Sequence, residues 1–400
     1  MKTAQLFAPL KRFHVDPVIA LVAGILLVMG LLMMTSASVS IADKSFADPL
    51  YYLKRQSVFM VLGLVAVTVV MLVPLRLWDW AGYLALFLAF VLLTVVLVPG
   101  IGHTVNGSTR WIRLGFMNFQ SSEAARLLML FYVCSYLVRH QHQVREHFMG
   151  FAKPMLFVVV ASYLLLKEPD FGAATVQLGM ILGVLFVGGV RFRHYLLMVT
   201  FSVGAMVVMA MSNKERMERL TVFLDPWKDP FDGGFQLTQS LIAIGRGEWF
   251  GVGLGASVQK MFYLPEAHTD FVFAVLAEEL GLIGAAFTIA LYFVLVARGF
   301  LIARRALRAE LLFPAYLAFG LSIWFGLQSF INIAVNMGAL PTKGLTLPFM
   351  SYGGSSLIVS MVSAGLLLRV AHEVVCAENQ VNTRVTKKGP APARPVRVAA

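Results

Sequence analysis

The chain has 400 residues, 58% of them hydrophobic and only 14% charged, with a mean hydropathy of +0.77. That balance excludes a water-soluble globular protein of ordinary composition and makes the bilayer the solvent against which the sequence is read. The net charge of +12 does not mark a nucleic-acid binder, because Lys and Arg fall between apolar spans and form no basic stripe interleaved with aromatics.

The N-terminus carries Lys2, Lys11 and Arg12 ahead of an apolar run and lacks the small-residue cleavage site of a removable signal peptide, so residues 1–16 read as a tail and the first span as an anchor. Mostly apolar runs follow at 17–36, 57–73, 78–98, 122–138, 150–166, 171–189, 194–211, 270–296, 312–335 and 351–368. Each is long enough to cross about 30 Å of hydrocarbon as a helix. The expected fold is therefore all-α: an integral membrane bundle of about ten transmembrane helices, with a large outward-facing loop between the seventh and eighth. The membrane domain covers 17–369, and 370–400 reads as a disordered tail of low apolar content. Cys134 lies in a span and Cys376 in the tail, which argues against a disulfide framework.

Basic residues set the orientation. Lys2, Lys11, Arg12, Arg76, Arg139, Arg145, Lys153, Arg191, Arg193, Arg298, Arg304, Arg305, Arg308 and Arg369 fall on one side; Lys44, Lys54, Arg55, Arg110, Arg113, Lys167 and Lys343 fall on the other. The excess puts both termini in the cytoplasm. The longest connection, 212–269, then faces outward, and its Trp227, Phe231, Phe235, Leu241, Ile242, Trp249, Phe250 and Phe262 suggest a loop folded against the membrane surface.

The outward loops hold the chemistry: NGSTRWIRLG near Asn106, KEPDFG near Lys167, the long loop itself, LPEAHTDFVFAVLAEELG, and LPTKGLTLPFMSYGGSS. A transporter would place ionisable groups along a pathway near the midplane, whereas most here lie at one face. Asp270 opens the eighth span behind Thr269, a candidate helix cap, and unpaired helix-terminal amides would favour its ionised form. Complementing the helix dipole is the plainer role for such an acid. Glu278 lies about 80° around the helix from Asp270 and can share a cavity with it, as can Glu266 in the loop; Glu279 lies opposite and suits a partner helix. Arg216, Arg219, Arg246, Lys260 and Lys343 supply cations suited to phosphate, or to lipid headgroups. The glycines of GRGEWFGVGLG read as tight turns, because no strand precedes them and the spacing is not that of a P-loop. Glu123 and Arg126, three apart, read as a helix-surface pair, and Asn106-Gly107-Ser108 as an unspecific glycosylation match.

At LPEAHTDFVFAVLAEELG and LPTKGLTLPFMSYGGSS the chain resembles the SEDS family of polytopic membrane glycosyltransferases, from the first span to about Arg369, and within it the septal cell-division branch. The resemblance implies polymerisation of lipid II onto undecaprenyl-pyrophosphate-linked glycan at the outer face of the bacterial inner membrane. The implied partners are a class B penicillin-binding protein and other membrane proteins of the division complex. Asp270 matches the family's essential loop aspartate. Two departures stand out: Gln120 is followed by Ser121 where the family often has Pro, and Arg126 stands where a Lys is common. A divalent cation, Mg or Mn, could assist at Asp270, and no organic cofactor is expected. A lipid II flippase is the alternative from another class, and a division scaffold is third.

Overall fold

The computed structural model describes residues 14–105, 107–115, 117–211, 217 and 222–387. Hydrocarbon leaves no water for backbone amides and carbonyls, so an apolar chain in a bilayer must satisfy them within each segment, which helices do. The helices are α1 (Pro17–Phe46), α2 (Tyr51–Leu72), α3 (Leu75–Trp80), α4 (Gly82–Val95), α5 (Ser121–Arg139), α6 (Gln141–Glu146), α7 (Phe148–Lys167), α8 (Phe171–Val187), α9 (Phe192–Met211), α10 (Phe235–Arg246), α11 (Val272–Arg308), α12 (Leu312–Asn336) and α13 (Gly354–Lys387). Each expected apolar run follows one of them, except 78–98, which is divided between α3 and α4. Among the described residues seven are long and apolar enough to cross a membrane, α1, α2, α7, α9, α11, α12 and α13, while α4 and α8 are shorter apolar helices. This is a multi-pass helical membrane protein.

Local chemistry fixes the helix ends. Asp16 caps α1 by accepting from the Val18 and Ile19 amides, with Pro17 at the first helical position. The same carboxylate meets Arg298 at 2.7 Å and ties α1 to α11. Small residues let α8 and α12 approach closely: a Cβ on Gly179 would meet Leu327 and one on Gly183 would meet Ile323. The small-residue stripe therefore packs within the bundle.

Helix α5 is the interior helix. Most of its residues are buried, including Glu123 and Arg126, and it packs against α4, α8, α12 and α13. The expectation of a surface pair is corrected here: the two side chains are 3% and 1% exposed and meet at 3.3 Å inside the protein. Spacing of three places two residues on one helix face but does not say which way that face turns.

Three features depart from the sequence reading. The connection before α5 folds as an antiparallel sheet, β1 (Gly102–Val105), β2 (Ser108–Leu114) and β3 (Met117–Gln120), in the order β1-β2-β3. The fold is thus helical with one small sheet, not purely all-α. Asn106-Gly107 between Val105 and Ser108 is a strong hairpin signal. At the other end, α13 continues through the expected tail to Lys387, held in part by Glu378 on Arg305 at 2.6 Å; the rest of that tail lies outside the described residues.

The third departure is a break inside α11 at Gly281, with φ 68° and ψ −167°, a conformation open to glycine and closed to L side chains. The long loop satisfies the freed backbone. Val252 and Gly253 donate to the carbonyls of Glu278 and Glu279 at 3.0 and 3.1 Å, and Leu282 and Ile283 donate to those of Glu248 and Trp249 at 2.8 and 3.3 Å. Among its described residues the long loop carries α10, while Trp227, Phe231, Trp249, Phe250 and Phe262 are exposed.

Candidate active site

Asp270 lies in the turn before α11. Glu266, at φ 55°, bends the chain so that the amides of Asp270 and Phe271 both return to its carbonyl, at 3.1 and 3.2 Å. The Asp270 carbonyl accepts from Asn332 at 2.9 Å and Asn336 at 3.0 Å, both on α12. Asn336 also accepts from the Ala274 amide at 3.1 Å. Helix α12 therefore clamps Asp270 by its main chain and leaves the carboxyl for chemistry.

Thr269 does not cap the helix. Its hydroxyl donates to the carbonyl and carboxylate of Glu266, at 3.1 and 2.7 Å, and α11 starts at Val272 without a side-chain cap. The expectation that helix-terminal amides hold Asp270 ionised is corrected accordingly. The half-buried carboxyl has its pKa pushed up to about 7, first by burial and then by the neighbouring Glu266 carboxylate, with Arg110 opposing.

Arg110 comes from β2. A Cβ on Gly344 would lie 3.0 Å from Asp270 Oδ2 and 4.0 Å from Arg110 Nη2, so the carboxylate and the guanidinium converge on that glycine. Arg110 also meets Asp170 at 3.6 Å, donates to Ser108 at 3.2 Å and lies 5.0 Å from the Trp111 ring centroid. Its Nε is buried without a partner.

Asp170 caps α8 through the Ala173 amide at 3.0 Å and accepts from Ser122 at 3.1 Å and from Gln120 at 3.4 Å. Ser121, which departs from the family's Pro, donates to Glu168 at 3.3 Å. Glu168 is fully buried, and burial followed by the Asp170 charge pushes its pKa up to about 9, so it is protonated at neutral pH. Deeper in the bundle, Arg126 donates to Gln328 at 2.8 Å and faces Trp324 at 5.0 Å, with its Nε and Nη2 unpartnered.

The expected site residues divide into separate groups. Lys343 sits on the same side as Asp270, with Nζ 4.2 Å from the centroid of Phe171, the first residue of α8. Glu266 adjoins Asp270. Lys260 is instead buried, with Nζ donating to Glu279 at 2.8 Å, Ser36 at 2.9 Å and the Gly255 carbonyl at 2.7 Å. Glu278 is not an open cavity acid: it accepts from the Ser257 hydroxyl, from the Val258 amide at 3.1 Å and from Arg246 at 3.3 Å. Lys260 and Arg246 thus neutralise buried acids beside the Gly281 break, where an unpaired charge would be costly. Arg216 and Arg219 lie outside the described residues. Sequence reasoning missed Arg110, Glu168 and Asp170; its only signal was that NGSTRWIRLG and KEPDFG both fall in outward loops.

For a divalent cation, the described residues hold no group of three His, Cys, Asp or Glu side chains able to bind one.

A multi-pass helical membrane protein with one acid and an arginine converging beside a β-hairpin is the class that fold and site define. Residues 17–375 match the FtsW, RodA and SpoVE family of cell cycle proteins. The chain is 56% identical over 350 residues to the probable peptidoglycan glycosyltransferase FtsW of Thioalkalivibrio sulfidiphilus, covering 88% of each. It is 52% identical over 349 residues to the protein of the same description from Pseudomonas fluorescens, covering 87% of this chain and 86% of that one. Among solved structures, a peptidoglycan synthase complex that coordinates polymerization and crosslinking contains a chain with TM-score 0.74 and 30% identity, covering 91% of this chain and 99% of that one. The rod shape determining protein RodA of Thermus thermophilus aligns with TM-score 0.66 and 29% identity over 90% of this chain and 97% of that one. The chain belongs to the FtsW/RodA/SpoVE family.

Proposed function

We propose that the protein is a peptidoglycan glycosyltransferase that polymerises lipid II into β-1,4 glycan at the outer face of the bacterial cytoplasmic membrane during septal synthesis. Both termini are then cytoplasmic. Its relatives' names support the activity, and the observation that carries the site is the convergence of Asp270 and Arg110 on Gly344. A carboxyl with a pKa of about 7 is matched to accepting a proton near neutral pH.

In this reading Asp270 takes the proton of the acceptor 4-hydroxyl as its oxygen bonds to the donor's anomeric carbon. The bond from that carbon to the pyrophosphate breaks, and the leaving pyrophosphate keeps the electron pair. Attack opposite an α-linked leaving group gives the β linkage. Arg110 and Lys343 offset the developing negative charge, as preorganised cations do in a partly dehydrated site. Asp270 would hold a divalent cation if one binds, and the cation would add charge neutralisation at the pyrophosphate. The flippase reading has no support in the names of the relatives. A class B penicillin-binding protein beside the product exit is the proposed partner, in keeping with the polymerising and crosslinking complex among the structural neighbours.

The test is turnover of purified lipid II by the purified protein, with and without its transpeptidase, comparing wild type with Asp270→Asn. The variant keeps size and backbone clamps but loses the basic lone pair, so it should insert normally and polymerise on the order of 10²-fold more slowly or worse. A folded variant with near wild-type polymer yield overturns the mechanism.

A further inference from the structure

The far end of α5 from Asp270 holds a second concave site. Helix α5 has 19 residues, about 28 Å of rise, so its two ends lie near opposite membrane faces. There α4, α5 and α7 enclose a cavity of about 300 Å³, lined by Tyr83, Tyr132, Tyr136, His140, Lys153 and Phe157. Tyr132, 2% exposed, forms the floor, with Tyr83 and Phe157 ring centroids 6.0 and 5.8 Å away. Tyr136 stacks on His140 at 4.4 Å.

Among the described residues no acidic side chain lines the cavity, and Lys153, exposed, forms no ion pair. Arg139 adds a second cation beside the cavity: its guanidinium lies 5.4 Å from the Tyr83 ring and, among the described residues, donates to the Asp79 and Trp80 carbonyls. The lining includes the apolar Leu156, 62% exposed, and Phe87, one helical turn along α4 from Tyr83, is 63% exposed; both suit contact with acyl chains in a bilayer. A basic head, an aromatic middle and an apolar wall follow the polarity of a phospholipid standing in one leaflet. A soluble phosphate would use only the head.

We propose that this cavity binds one anionic phospholipid, with its phosphate at Lys153, its glycerol region between Tyr83 and His140, and its acyl chains along Leu156 and Phe87. The site is independent of the polymerase reading, because it lies across the membrane from Asp270. Lys153 is exposed and outside the catalytic site, so Lys153→Gln should insert and fold as wild type does.

The test uses the full-length protein in detergent micelles doped with phosphatidylglycerol or phosphatidylcholine, with bound lipid counted by native mass spectrometry. Wild type should retain one phosphatidylglycerol under activation that strips phosphatidylcholine. Retention should fall roughly fivefold in Lys153→Gln, the effect of one basic group near a lipid headgroup, and should stay at wild-type level in Arg193→Gln, a basic residue on α9. Equal retention of both lipids, or equal loss in both variants, overturns the proposal. Displacement of the lipid by millimolar inorganic phosphate would also overturn it, because the acyl contacts would then contribute nothing.

Discussion

Lys260→Met separates a structural cation from a substrate-binding one. In the structure all three Lys260 protons are committed, to Glu279, Ser36 and the Gly255 carbonyl at 2.7 to 2.9 Å, and the two charged side chains are 7% and 0% exposed. Removing the cation leaves Glu279 charged and buried, next to the only non-helical residue within α11. Breaking a buried pair from one side costs about 3–5 kcal/mol, so the variant should unfold at markedly lower temperature. The double variant Lys260→Met with Glu279→Gln removes the orphaned charge and should recover most of that loss. Fluorescence-detected size-exclusion chromatography of heated, tagged protein in detergent measures all three proteins in parallel. If Lys260→Met instead melts like wild type while needing much more lipid II for the same rate, Lys260 belongs at the pyrophosphate and the structural assignment fails.

The Asp270 pKa of about 7 gives a kinetic and a stability expectation. A base must be ionised, so the polymerisation rate should drop as pH falls through about 7, and a limb near pH 4 would contradict the shift. The fold favours the protonated acid, so the ionised form costs stability; Asp270→Asn should outlast wild type on heating at pH 8, with the difference shrinking as the pH falls from 7 towards 4. Gly344→Ala would place a methyl 3.0 Å from Asp270 Oδ2. A forced shift of a few tenths of an ångström should cost roughly tenfold in turnover with little change in lipid II affinity, which steady-state kinetics over a range of lipid II would show. Glu168, already neutral at pH 7 with its pKa about 9, should tolerate Glu168→Gln with an unchanged melting temperature, whereas a large loss would mean that it is ionised in the fold.

Hydropathy located the helices because spanning segments must be long and apolar, and Asp270 was legible because its flanking motif is contiguous. The rest was hidden for identifiable reasons. Arg110 and Asp170 reach Asp270 only when β2 and the turn before α8 fold over the start of α11, and no local pattern couples such distant positions. Glu123 and Arg126 looked solvent-facing because a bundle interior and a polar surface both admit charges, and only packing distinguishes them. Asn106-Gly107 carried a hairpin signal that a glycosylation reading obscured. Glu278 was placed by its angle from Asp270 and Lys260 by its position among the outward-side cations, yet each had a nearer partner in Ser257 or Glu279 that became visible only once the loop closed.

The break at Gly281 bears on how the protein is made as well as how it is held. The segment beyond it, from Leu282 to Arg308, is apolar and can settle in the bilayer once its residues emerge, but the short stretch before it leaves the Glu278 and Glu279 carbonyls open. Those carbonyls are filled by Val252 and Gly253, which are synthesised earlier. The turn at Asp270 thus lies between two stretches that complete each other. Amide exchange should show residues 248–253 and 278–283 opening together, and a nascent chain stopped before Gly281 should expose its long loop to protease until the helix that follows has entered the membrane.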